Sequence, residues 1–96
     1  MTTRKKRSPE ERQYIPLDDP TQVFTSTDLG VSSALLSAGF ELLSVDKENP
    51  RKALFTFHRS RNIEEQASLY FSDKLEVRAR SFFDSIRALK NRLYSE

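Results

Sequence analysis

Seven cations carry the clearest chemistry in this chain. Arg51, Lys52, Arg59 and Arg61 bracket a short apolar run, and Arg80, Arg87 and Lys90 recur near the C-terminus. No acid interrupts the stretch from Arg51 to Arg61, although the whole chain of 96 residues has a net charge of only +2. Clustered cations hold phosphates and neighbouring aromatic rings stack on bases, so the pattern points to nucleic acid, DNA or RNA, as the partner. The competing reading is that these are solvated charges at the ends of a core strand and along a core helix, with Phe55, Phe57 and Phe83 simply buried.

Catalysis has far less to build on. General acid–base work, nucleophilic attack and metal binding each need converging groups, and the chain has one His, no Cys and two glycines, Gly30 and Gly39. No glycine loop suited to cradling phosphate is present. Glu64-Glu65 and Asp18-Asp19 are adjacent pairs; neighbours on a helix do not face each other, so the first pair is a helix N-terminal charge preference. His58, beside Arg59, reads as a surface or hydrogen-bonding residue and not as a base. The expectation is a protein that is not an enzyme and uses no cofactor or metal.

The elements that must position the cations follow from periodicity. Asn49-Pro50 punctuates a turn, and Ala53 to Phe57 then reads as a strand with Ala53, Phe55 and Phe57 on one face and Leu54, Thr56 and His58 on the other, a mixed face open to partners. Gln22 to Thr25 suits a first strand and Phe40 to Val45 a second, which pairs with the third as a hairpin. A first helix lies between them, opened by Thr25 and Asp28 at capping-box spacing or by Thr27, and closed at Gly39. Its Ser32, Ser33 and Ala34 are small enough for close packing on its own sheet or on a neighbouring chain. Asn62 and Glu65 open a second helix, which ends near Ser72-Asp73.

The strongest helical signal runs from Arg78 to Tyr94. Phe82, Ile86, Leu89 and Leu93 recur at spacings of four, three and four and build one core-facing stripe. At about 100° per residue, Arg80, Arg87 and Lys90 fall beside that stripe, interleaved with Phe83 and Tyr94. The fold class is therefore α+β, a small antiparallel sheet of three or four strands with helices packed on it. If Leu75 to Val77 forms the fourth strand, the order becomes the ferredoxin-like βαββαβ with a long C-terminal helix appended. RNA-recognition domains share that order, but Arg51 to His58 departs from their aromatic octamer, with Lys52 where glycine is expected and His58 where an aromatic closes the motif.

Composition divides the chain near residue 20. Residues 1–20 read as a flexible basic and proline-containing arm, too polar to offset its ordering entropy, and 21–96 as a single domain. The apolar residues Tyr14, Ile15 and Leu17 in the arm are candidates for docking on the domain or on a protein partner. With no apolar run of about 18 residues and no signal-peptide pattern, the chain reads as soluble and cytoplasmic, with no membrane partner. The absence of cysteine permits a reducing compartment.

Phe24 to Asp28, Leu35 to Leu43 around Gly39-Phe40, Asn49-Pro50-Arg51-Lys52 with Phe55-Thr56-Phe57, and Leu75 to Leu93 with Phe82-Phe83 and Arg87-Ala88-Leu89-Lys90 resemble a family of small uncharacterised proteins from bacteria and their phages. The resemblance covers most of Phe24 to Tyr94. It implies a small domain of unknown function in mobile or phage-like settings, with no catalytic residues to carry over. A second class of function stands beside nucleic-acid binding: an interaction or assembly module, a homodimer or a subunit of a larger complex. Phe82-Phe83 and Tyr70-Phe71 give more apolar surface than a three-stranded sheet needs.

Overall fold

Large rings alternating with smaller residues from Ala53 to His58 set the sheet. In the structure, a computed structural model that describes residues 15–49 and 51–95, this run is the middle strand. The elements in order are strand β1 (Val23–Ser26), helix α1 (Leu29–Ser37), strand β2 (Leu42–Asp46), strand β3 (Leu54–His58), helix α2 (Ile63–Phe71) and helix α3 (Ala79–Tyr94). The strands form one antiparallel sheet in the order β1-β3-β2, with a bulge in β2 between Leu42 and Ser44. The fold is α+β, as the sequence indicates. Pro50, part of the expected Asn49-Pro50 turn, lies outside the described residues; Lys52 N–H donates to the Asn49 carbonyl at 3.0 Å.

The fourth strand does not form. Helix α2 ends in a Schellman arrangement, with Asp73 N–H on the Tyr70 carbonyl and Lys74 N–H on the Leu69 carbonyl, and Asp73 takes the left-handed conformation at φ 63°. Leu75 N–H also turns back to Leu69 O, so the first donor that a ladder would need is engaged at the helix end. Residues 74–78 are an irregular link, and the βαββαβ order is not realised.

Helix α1 starts at Asp28, not at Thr25 or Thr27. Its carboxylate accepts from Val31 N–H at 2.8 Å, and a charged acceptor gains from the positive end of the helix where a threonine hydroxyl does not. The other end closes at Gly39, φ 98°, with Gly39 N–H on Leu36 O and Phe40 N–H on Leu35 O. Phe40 is thereby held against Leu35 in the core, which is why β2 begins at Leu42 and not at Phe40. Asn62 precedes α2 but makes no side-chain capping bond, so the expected capping box is absent there.

One core joins the layers. Phe55 and Phe57 point from β3 to Val31 and Leu35 of α1, Ile63 and Ala67 of α2, and Leu89 of α3. Burial of each such ring or branched side chain stabilises the fold by about 1.5–3 kcal/mol. Helix α1 packs on α2, α3 and β1, and every residue from Val31 to Leu35 is buried. The small residues therefore serve packing inside the domain. At Gly30 an added Cβ would sit 2.0 Å from the Tyr70 hydroxyl oxygen, so the missing side chain lets α2 lie this close.

Ser32 and Ser33 are fully buried, and among the described residues neither hydroxyl oxygen has a hydrogen-bond partner. A buried unmade bond costs about 1–3 kcal/mol, and alanine is also the better helix former. Ser32→Ala is therefore expected to raise unfolding stability by about 1–2 kcal/mol. Chemical denaturation checks this, and a loss of stability would mean that the hydroxyl is satisfied.

The segment before β1 is held by Asp19, whose carboxylate accepts from Thr21 Oγ1 at 2.7 Å and Thr21 N–H at 2.9 Å. These bonds hold its pKa below the ordinary carboxylate value. A depressed folded-state pKa supports the fold above the unfolded value and ceases to do so as pH falls through the folded one.

Candidate nucleic-acid interface

The α3 pattern puts two stripes side by side. Phe82, Ser85, Ile86, Leu89 and Leu93 face inward, with Ser85 and Leu89 buried and the other three half-buried. One position further on, Phe83, Arg87, Lys90 and Tyr94 recur at spacings of four, three and four, and all four are exposed. At about 100° per residue they fall within roughly 60° of one another, and Arg80, also exposed, widens the stripe to roughly 80°. From Phe83 to Tyr94 it runs about 17 Å along the helix. The Arg87 guanidinium lies 5.8 Å from the centre of the Phe83 ring. Phe83 is 56% and Tyr94 79% exposed, so neither ring belongs to the core. The competing reading, with Phe83 simply buried, does not hold for this ring: the inward stripe is already filled by Phe82 and Ile86.

The hairpin between β2 and β3 meets the C-terminal end of α3. Lys47 Nζ donates to the Arg92 carbonyl at 2.9 Å and the Ser95 carbonyl at 2.6 Å. The last turn of a helix leaves carbonyls unpaired at its negative end, and a lysine there both bonds and neutralises them. A mixed cleft of about 560 Å³ opens between hairpin and helix, lined among others by Thr27, Leu29, Asn49, Arg51, Leu93 and Tyr94. Arg51 and Lys52 are exposed beside it, and Arg51 N–H is held by Asn49 Oδ1 at 3.0 Å.

Arg59 and Arg61 sit at the opposite end of β3, a five-residue strand about 17 Å long, and so do not join Arg51 and Lys52. Arg59 is engaged in holding the fold. Its Nε donates to the carbonyls of Pro20 at 3.1 Å and Val23 at 3.2 Å, and its guanidinium pairs with Glu64 Oε2. Arg61, at φ 49°, stacks 4.2 Å from the centre of the Phe40 ring. Arg59→Ala is expected to lower stability by about 1–2 kcal/mol, the partial exposure of the ion pair keeping its share small. Urea unfolding reads the effect, and an unchanged midpoint would show that these bonds contribute nothing.

Among the described residues, Arg51, Lys52, Arg61, Arg80, Arg87 and Lys90 have no carboxylate within ion-pair distance, unlike Arg59. The seven sequence candidates therefore separate into an α3 set, a hairpin set beside its end, and a distant pair of which one is structural. The mixed sheet face is less open than expected, because Thr56 is buried and His58 Nδ1 lies 3.7 Å from Glu41 Oε1. Lys47 escaped sequence reasoning. Its only signal was negative: the last helix ends without a glycine, so its terminal carbonyls needed a partner from elsewhere.

Tyr14 and the rest of residues 1–14 lie outside the described residues. Ile15 is half-buried, and Leu17, 51% exposed, borders a shallow hollow with Pro20, Val23, Phe24 and Arg59. Among the described residues no helix is long and apolar enough to cross a membrane.

No curated protein and no solved structure matches the chain. One family model does, over residues 21–95, from just before β1 to the end of α3, and its description is a domain of unknown function, DUF5659. The match includes every strand and helix of the fold and both sides of the cleft. The chain belongs to the DUF5659 family of domains of unknown function.

Proposed function

We propose that this domain is a non-enzymatic accessory module that binds nucleic acid along the outer face of α3, with Arg51 and Lys52 extending the contact at the hairpin end. The observation that carries this reading is the exposed stripe Arg80, Phe83, Arg87, Lys90 and Tyr94, in which two rings lie among cations that pair with no carboxylate among the described residues, on a face the core does not use. Asp84 is the one acid in α3. Cations so placed neutralise phosphates, and exposed rings offer stacking faces. Titration of the isotope-labelled protein with an oligonucleotide tests it by NMR: amide shifts concentrated in residues 80–94 support the assignment, and shifts confined to β1 and α2 contradict it.

A second reading, a protein-interaction or homodimeric module, rests on Phe71. Its ring is 64% exposed, meets Tyr70 edge to face at 5.3 Å, and borders a mixed hollow of about 340 Å³ with Asp73, Leu75, Val77 and Phe82. A contiguous apolar patch, and not a single exposed ring, marks a protein contact, and Phe71 adjoins the half-buried Leu75, Val77 and Phe82. Solution mass discriminates: a concentration-dependent dimer that Phe71→Ser dissociates supports this reading, and a monomer at all micromolar concentrations counts against it.

A further inference from the structure

The two ends of α3 differ in what they meet. At the end of the stripe Tyr94 stands on the rim of the mixed cleft, which is bounded on the other side by Arg51 and Asn49 of the hairpin. Resting on the nucleic-acid reading, we propose that this cleft receives an unpaired base, so that the domain selects single-stranded nucleic acid over duplex.

The chemistry of the walls fits a nucleotide. Leu29 and Leu93 are apolar and half-buried and suit a base face. Asn49 Oδ1 is occupied by Arg51 N–H, which leaves the two amide N–H donors of that side chain for base acceptors. The Arg51 side chain, exposed beside them, presents a fork suited to phosphate. The volume of about 560 Å³ lies within the ~300–1,000 Å³ of small-molecule sites. Tyr94, 79% exposed, borders the cleft with a ring available for stacking.

Lys47 is a positioning residue here. By holding the carbonyls of Arg92 and Ser95 it fixes the last turn of α3, from which Tyr94 reaches the cleft. A duplex keeps its base faces stacked inside and can offer α3 only phosphates and groove edges. A single strand offers base faces to Phe83 and Tyr94 as well as phosphates to Arg87 and Lys90, and its last base can turn into the cleft.

Fluorescence anisotropy with a labelled oligothymidylate of about ten nucleotides and with a duplex of equal length tests the proposal. The single strand is expected to bind more tightly, and Tyr94→Ala to weaken it about tenfold or more with duplex affinity unchanged, while Tyr94→Phe retains it. Because Tyr94 is exposed at the end of its helix, the variants keep the core intact, and circular dichroism verifies this. Equal affinities for both ligands, with no effect of Tyr94→Ala, would overturn the base-in-cleft inference while leaving nucleic-acid binding in place. Absence of binding to either ligand would overturn both.

Discussion

Phe57→Ala is expected to remove about 3–5 kcal/mol of folding stability. Phe57 is fully buried on the middle strand, beside Phe24 of β1 and Leu42 of β2 in the ladder, and in the cluster that joins α1, α2 and α3. Its removal leaves a cavity that β3, bonded on both edges, has little freedom to close, so the cavity cost adds to the lost burial. Small domains have about 5–15 kcal/mol in total, so this one substitution takes a large share of it. Thermal unfolding of the variant checks it, and a shift of only a degree or two would mean that the sheet and the helices do not share one core.

Arg87→Ala combined with Lys90→Ala is expected to weaken oligonucleotide binding about 25-fold near 0.1 M salt. Each phosphate neutralised on a single strand contributes about 0.7 to the slope of log K against log salt, hence about a factor of five at that concentration. Both residues are exposed and unpaired among the described residues, so they lie outside the core and their loss should leave the fold unchanged. The salt slope should fall by about 1.4 at the same time. Reduced affinity without a reduced slope would show that the variant acts through the fold and not through phosphate contacts.

Particular elements decide how much of this was legible in the sequence. The 4-3-4 recurrence of Phe82, Ile86, Leu89 and Leu93 marks α3 to within a residue, because one long helix with one apolar stripe has few alternatives. The same periodicity yields the outer stripe one position on. The start of α1 reads from sequence as Thr25, with Asp28 as its capping-box partner, or as Thr27; the end of β1 at Ser26 excludes the first, and Asp28 itself takes the cap. Leu75 to Val77 has the composition of a strand, but whether it pairs depends on the backbone bonds at the end of α2, set by a left-handed Asp73 that residue type alone does not reveal. Short apolar segments are where local preference and tertiary context part company.

The site was half legible for a related reason. Charge clustering identified Arg51, Lys52, Arg59 and Arg61 as one bracket around β3, yet a strand separates what it brackets. Arg59 was drawn to Glu64 and two carbonyls, partners that lie five and more than thirty residues away. Lys47 and the last turn of α3 are 45 residues apart, so the cleft between them exists only once the hairpin and the helix have docked. What the sequence did carry was the interleaving of Phe83 and Tyr94 with Arg87 and Lys90. That local periodic fact survives folding because the helix presents it whole.

The central claim is that α3 offers nucleic acid an unpaired cationic stripe with exposed rings. The most direct measurement is the affinity of the intact protein for a labelled single-stranded oligonucleotide across a salt series. With three to five of the cations Arg80, Arg87, Lys90, Arg51 and Lys52 engaged, the predicted slope of log K against log salt is about −2 to −3.5. Anisotropy that stays flat at the lowest salt, or an affinity that does not change with salt, would contradict the claim.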